Sequence, residues 1–306
     1  MRRYRFLQLD VFTGQPFGGN QLAVFLEADG LTDEEMQAIA AEMNFSETTF
    51  VLPASEARAL RRVRIFTSSA ELPFAGHPVV GTTFALAHAS VIHAGEASPI
   101  YLQLGIGTLP VDVLYDEQTL SFVWMHQPVP RFTPWQGDRA KLAAAVGLAG
   151  TDIAPNLPIM HGSAGVPFLY VPLRSLAALG RARPATDLAV HLENPEPHIG
   201  VYLFTLATGA EGIGARSRMF APGMGVVEDA ATGSAAGPLG VYLLRHGRLT
   251  PDSDGESRLR VEQGVEMKRP SRIEVAIEGS AEAVRDVRVG GEAIVVAEAE
   301  LILPNH

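Results

Sequence analysis

The chain has 306 residues, 47% hydrophobic and 19% charged, which is enough for two domains of about 150 residues each and too apolar for a disordered chain. Its 34 acidic and 24 basic residues give a net charge of −10 with no basic stripe, arguing against nucleic acid and anionic membranes as partners. Cysteine is absent, which excludes disulfides, Cys-ligated metals, iron–sulfur clusters and every thiol mechanism. No run approaches the roughly 18 apolar residues of a membrane span. The basic start, Met1 to Arg5, leads into strand-like alternation rather than a signal core, so a cytoplasmic protein is expected.

In chain order, Arg5–Phe12 reads as a strand, followed by a turn-rich stretch from Thr13 to Asn20 and the apolar run Leu22–Leu26. Thr32 and Glu35 form a capping-box pattern for a helix with Met36, Ile39, Ala40 and Met43 on one face. Strands are expected at Phe45–Leu52 and Arg62–Phe66. A loop then breaks into a helix at Gly76-His77-Pro78, which carries Val80, Phe84 and Ala87 and ends near Ala89. Further strands fit Ile100–Leu104, Val111–Tyr115 and Leu120–Trp124. Residues 126–138, rich in Pro and Gly, are the expected linker, and Asp138 is the expected cap of a helix over Arg139–Val146. The expected domains are therefore 1–126 and 127–306, with a chain end that can cross back to the first.

The second half echoes the first. Pro16-Phe17 is matched by Pro167-Phe168, ahead of Leu169 to Val171, and Arg64-Ile65-Phe66 by Arg218-Met219-Phe220. The spacing from Phe17 to Phe66 is 49 residues, and that from Phe168 to Phe220 is 52. Each half then reaches a loop-to-helix junction, Gly76-His77 or Gly233-Ser234. The second helix carries Leu239, Tyr242 and Leu243 and stops near Gly247, ahead of strand-like runs at Leu259–Val261, Ile273–Ile277, Val287–Val289 and Ala293–Ala297.

Glycine at such a junction lets the unpaired first N–H groups of the helix approach a ligand, and helix N-termini favour anions by about 0.3–1 kcal/mol when exposed. On residues alone, each junction reads first as an ordinary helix start. The titratable neighbours are what point to chemistry: His77 beside Gly76, Asp229 four residues before Gly233, and Glu47 among small polar residues at the head of an apolar strand. General acid–base catalysis uses such groups. Other chemistries fit less well. The nine histidines, at 77, 88, 93, 126, 161, 191, 198, 246 and 306, form no i, i+4 pair with a nearby glutamate. Gly212-Ile213-Gly214 lacks the third glycine of a dinucleotide fingerprint, and Ser234 has no Gly-x-Ser-x-Gly setting.

Several segments together closely resemble the phenazine-biosynthesis PhzF-like isomerase family: Asp10-Val11-Phe12, Pro16 to Asn20, Met36 to Thr48, Glu71 to Pro78, Arg218 to Gly223, Glu228 to Ala235, Gln263-Gly264 and Arg269-Pro270-Ser271. That resemblance spans nearly the whole chain. It implies an α+β fold like diaminopimelate epimerase, with two similar domains, each a mostly antiparallel barrel-like sheet around a central helix, and the site between them. It also implies a homodimer that moves a proton within a small acidic metabolite and needs no cofactor and no metal. The family's acid/base glutamate maps onto Glu47, its histidine onto His77, its aspartate onto Asp229 and its serine onto Ser234, with Gly76 and Gly233 supplying backbone groups to the substrate. Ala230, Lys268 and Gln21 depart from residues common in the family, Pro, Gly and Pro, and touch none of these groups. A two-base racemase or epimerase, and a non-catalytic binding member of the family, are the competing readings.

Overall fold

The computed structural model describes residues 1–95, 98–186, 188 and 199–305; His191, His198 and His306 lie outside them. The chain divides into two compact units, Met1–His126 with Gly290–His306, and Gln127–Val289. The fold is α+β, each unit a mostly antiparallel sheet packed on a central helix.

In the first unit the strands are β1 (Arg2–Val11), β2 (Asn20–Phe25), β3 (Glu47–Leu52), β4 (Arg61–Phe66), β5 (Glu71–Leu72), β6 (Ile100–Leu104), β7 (Gly107–Asp116) and β8 (Thr119–Gln127). Helix α1 (Asp33–Met43) joins β2 to β3, and α2 (Gly76–His88) joins β5 to β6. The second unit has β9 (Arg131–Pro134), α3 (Arg139–Ala145), β10 (Met160–Ser163), β11 (Pro167–Pro172), α4 (Leu176–Arg181), β12 (Gly200–Thr205), β13 (Ala215–Ala221), β14 (Val226–Asp229), α5 (Gly233–Arg245), β15 (Glu256–Gln263) and β16 (Ser271–Gly279). Strand β17 (Val284–Gly291) leads to β18 (Ala293–Leu303), which pairs antiparallel with β1 of the first unit.

The duplication read in the sequence is a duplication of strand pairing. β1–β2 is antiparallel, β2–β3 parallel, β3–β4 and β4–β5 antiparallel, β4–β6 parallel and β6–β7 antiparallel. The series β10 to β16 repeats the same senses in the same order. Register makes the correspondence residue by residue. Arg64 and Arg218 occupy one position, and with them Ile65 and Met219, which pair with Leu72 and Asp229. The first parallel pair is Leu22 with Glu47 in one unit and Phe168 with Gly200 in the other.

Each central helix is 13 residues long, and burial is continuous from Gly76 to Leu86 in α2 and from Gly233 to Leu244 in α5. Apolarity all round suits a helix enclosed by its sheet. Glycine sets the approach: a Cβ at Gly81 would lie 2.6 Å from Val11 and Leu22 side chains, and one at Gly240 would lie 2.9 Å from Val275 and Ile277. A second layer in the first unit packs α1 on β2 to β4, with Phe25 stacked on Phe50 and Phe66 edge-on to it. In the second unit α3 and α4 cover Leu169, Val171, Val201 and Leu203. No helix among the described residues is long and apolar enough to cross a membrane.

Thr32 and Glu35 form the expected capping box, and Asp138 caps α3 by accepting from the Ala140 and Lys141 N–H groups. Two expectations need correction. The stretch 126–138 is not a bare linker, since Arg131–Pro134 forms β9 and pairs with Ser163 to Met160. Pro78 is the third residue of its helix, not the first. The strand Gly200–Thr205 was not anticipated: it is buried at every position, so it lacks the alternation that marks a half-exposed strand.

Candidate active site

Three elements bring Glu47, His77 and Asn20 together in the first unit. Helix α1 ends on Asn44 in the left-handed conformation (φ 51°), and the chain turns through Ser46 into β3, whose first residue is Glu47. Asn20 starts β2 directly after Gly19, where φ is +62° and a Cβ would lie 2.3 Å from the Val11 carbonyl oxygen, so glycine is required there. His77 is the second residue of α2. Ser46 Oγ donates to Asn20 Oδ1 at 2.8 Å, and the Asn20 amide nitrogen meets His77 Nδ1 at 3.1 Å.

On the other side of the ring, His77 Nε2 lies 3.3 Å from Glu47 Oε2. His77 is 2% exposed and Glu47 9%. Burial holds the imidazole neutral by pushing its pKa down to about 3. The contact is therefore one of a carboxylate with a neutral ring rather than an ion pair, and His77 Nε2 makes no hydrogen bond among the described residues. The loop before Asn20 is conformationally unusual, with Phe12 (φ 65°) and Phe17 (φ 70°) both in the left-handed region that bulky residues avoid. Asp10, itself buried, holds it by accepting from the Phe17 N–H at 2.6 Å.

The second unit brings Asp229, Gly233 and Ser234 together within one turn of chain. Asp229 ends β14, Gly233 and Ser234 open α5, and Asp229 and Ser234 are both buried. Thr232 Oγ1 donates to Asp229 Oδ2 at 2.7 Å. Gln263 at the end of β15 donates to the Asp229 carbonyl oxygen and to Thr232 Oγ1, each at 2.9 Å. Ser271 Oγ donates to the Ala230 carbonyl oxygen at 3.0 Å. Gln127 Nε2 donates to the Gly233 carbonyl oxygen at 3.0 Å. No side chain caps α2 or α5, and the first N–H groups of a helix have no partner within it.

Of the residues singled out in the sequence, Glu47, His77 and Gly76 thus form one cluster and Asp229, Gly233 and Ser234 another. Asn20, Ser46, Thr232 and Gln263 stood in the sequence only as parts of motifs. A signal was present for Asn20, a polar residue heading a strand that runs into Leu22 to Phe25; Gln263 ends a strand of alternating polar and apolar residues and gave none. Among the described residues no three His, Cys, Asp or Glu side chains converge as a metal site requires.

The family described as phenazine biosynthesis-like proteins matches residues 9–299 of the chain. The trans-2,3-dihydro-3-hydroxyanthranilate isomerase of Pseudomonas aeruginosa is 39% identical over 301 residues, 98% of this chain and 100% of that protein. A PhzF-family protein of Bacillus anthracis superposes with a TM-score of 0.87 at 32% identity, covering 99% of this chain and 100% of that one. A hydroxyproline epimerase of Agrobacterium vitis shares the fold at 14% identity, with a TM-score of 0.64 over 98% of this chain and 92% of its own.

Proposed function

The chain belongs to the phenazine biosynthesis-like family and is an isomerase, and we propose that it moves a proton within a small carboxylate-bearing substrate, using Glu47 as the single acid/base and no cofactor. The observation that carries this reading is the pairing of Glu47 with a buried, neutral His77 at 3.3 Å. A cationic neighbour would stabilise the carboxylate and weaken it as a base; a neutral ring leaves it able to take up a proton and release it again.

In the proposed step Glu47 removes a proton from one carbon of a conjugated substrate, the double bonds shift, and the same carboxyl returns the proton to another carbon. One C–H bond is broken and one is formed, with no net uptake or release. His77, Asp229 and Ser234 orient the polar groups of the substrate, and the uncapped starts of α2 and α5, at Gly76 and Gly233, offer N–H groups to its carboxylate. The net charge of −10 repels an acidic substrate, so binding falls to these local donors. The compound to try first is trans-2,3-dihydro-3-hydroxyanthranilate, the substrate named for the 39% identical relative. As the family resemblance implies, the enzyme acts as a cytoplasmic homodimer.

Protein dialysed against a chelator and supplied with that compound alone should convert it to an isomer of unchanged mass, at the rate of untreated protein. A rate restored only by added metal or cofactor contradicts the proposal.

A further inference from the structure

Register equivalence shows that the surroundings of Asp229 are built into one unit only. Asp229 corresponds to Leu72. The helix-start residue Thr232 corresponds to Ala75, each lying just before its central helix. Gln263 corresponds to Leu104, since Arg216–Glu262 and Arg62–Gln103 are the matching parallel pairs. Ser217 corresponds to Val63, and Tyr202 to Thr49. The unit without the acid has apolar residues at the positions of Thr232, Gln263 and Ser217, although the backbone plan is the same. Glycine follows Gln263 as it follows Leu104: a Cβ at Gly264 would lie 2.6 Å from the Ala230 carbonyl oxygen, and one at Gly105 would lie 2.7 Å from Pro73. The shared glycine serves the fold. The polar set accompanies the aspartate.

The direction of each hydrogen bond is fixed by backbone groups. Gln263 is 1% exposed. Its Oε1 must accept, because the Thr232 N–H reaches it at 3.2 Å; its Nε2 must donate, because the Asp229 carbonyl oxygen receives it at 2.9 Å. The amide orientation is thereby settled without reference to any side chain. The second Nε2 proton goes to Thr232 Oγ1 at 2.9 Å, so that oxygen accepts from Gln263 and has one proton to give. Asp229 Oδ2, at 2.7 Å, receives it. Behind Gln263, Tyr202 OH donates to Oε1 at 3.2 Å and Ser217 Oγ donates to Tyr202 OH at 2.9 Å, so the buried amide has every donor and acceptor engaged. The same geometry explains why Thr232, a residue type well suited to capping, caps nothing: its hydroxyl is turned from the helix to the carboxylate.

We propose that Thr232, locked by Gln263, is a positioning residue of the Asp229 carboxylate, holding Oδ2 and so the plane in which that carboxylate meets the substrate. The inference rests on the reading that Asp229 binds the substrate.

Thr232→Val keeps the shape and removes the hydroxyl; Thr232→Ser keeps the hydroxyl. With the Asp229 carboxyl followed by its 13C resonance at fixed pH, the Val variant should fold with an unchanged melting temperature to within a few degrees and show that resonance displaced. Its kcat/KM on trans-2,3-dihydro-3-hydroxyanthranilate should fall about 10- to 100-fold, the range expected for a hydrogen bond to a charged group. Thr232→Ser should restore both readouts. A folded Val variant whose resonance has not moved overturns the inference, whether or not that compound is turned over. A displaced resonance together with an Asp229→Asn variant as active as the parent overturns the role given to Asp229 and leaves the positioning intact.

Discussion

The two units share one backbone plan and place different chemistry on it. Glu47 heads β3 in the first; the register-equivalent position in the second is Gly200, where a Cβ would lie 2.8 Å from the Phe168 ring. Asp229 ends β14 in the second; its equivalent in the first is Leu72. His77 and Ser234 are equivalent residues of α2 and α5. The environments differ as well. Glu47 touches a neutral imidazole without a hydrogen bond from it, whereas Asp229 accepts a hydrogen bond from the Thr232 hydroxyl, which Gln263 holds in turn. In the mechanism proposed above, the first setting suits a carboxylate that gains and loses a proton and the second suits one that orients the substrate. The same strand plan carries Glu47 in one unit and Asp229 in the other, at positions that are not equivalent.

What both units retain is an arginine. Arg218 makes a two-pronged contact with Glu228, both distances 2.7 Å, and donates to the carbonyl oxygens of Leu179 and Ala182. Arg64 makes the equivalent two-pronged contact with Glu71 and a further one with Asp33. The guanidinium of each stands over the ring two residues on, Phe220 or Phe66. Glu228, the partner of Arg218, is 18% exposed, while the partners of Arg64 are 76% and 41% exposed. Replacing each by Met should separate them. Arg218→Met leaves Glu228 and two carbonyls without their buried partner and should cost about 3–5 kcal/mol in urea unfolding. Arg64→Met loses pairs largely screened by water and should cost about 1 kcal/mol. Equal losses would mean that the two arginines are equally important within their units.

A pH-dependent effect follows from His77. Its folded pKa, about 3, lies below the value of about 6.5 expected for the unfolded chain, so the unfolded state takes up the proton first. Stability due to this residue is complete above about pH 6.5 and declines as the pH falls towards 3, by about 1.4 kcal/mol per unit. At pH 5 the parent should have lost about 2 kcal/mol that a His77→Gln variant retains. Parallel stability–pH curves for the two proteins would show that His77 is not kept neutral by the fold.

Much of this was legible in the sequence because it is local. The capping box at Thr32, the Asp138 cap, the two Gly-led helices and the echo of Arg64-Ile65-Phe66 in Arg218-Met219-Phe220 lie within short stretches, and the resemblance to the PhzF-like family fixed the fold class. The rest depends on register. Gln263 stands 34 residues from Asp229 in sequence, and only the parallel pairing of β13 with β15 brings it there. Asn20 meets His77 across 57 residues. The Pro and Gly content around Arg131–Pro134 resembles a linker, yet a short strand tolerates a proline at its end. Composition does not carry such information.

In the proposed mechanism a single carboxylate in the first unit carries the proton. Glu47→Gln is close to isosteric, so substrate affinity and turnover can be measured on the same folded protein. The variant should show a dissociation constant within a few-fold of the parent and turnover reduced by at least about 10²-fold, the lower range for a positioned acid/base. A Glu47→Gln protein that isomerises its substrate at the parent rate contradicts that mechanism.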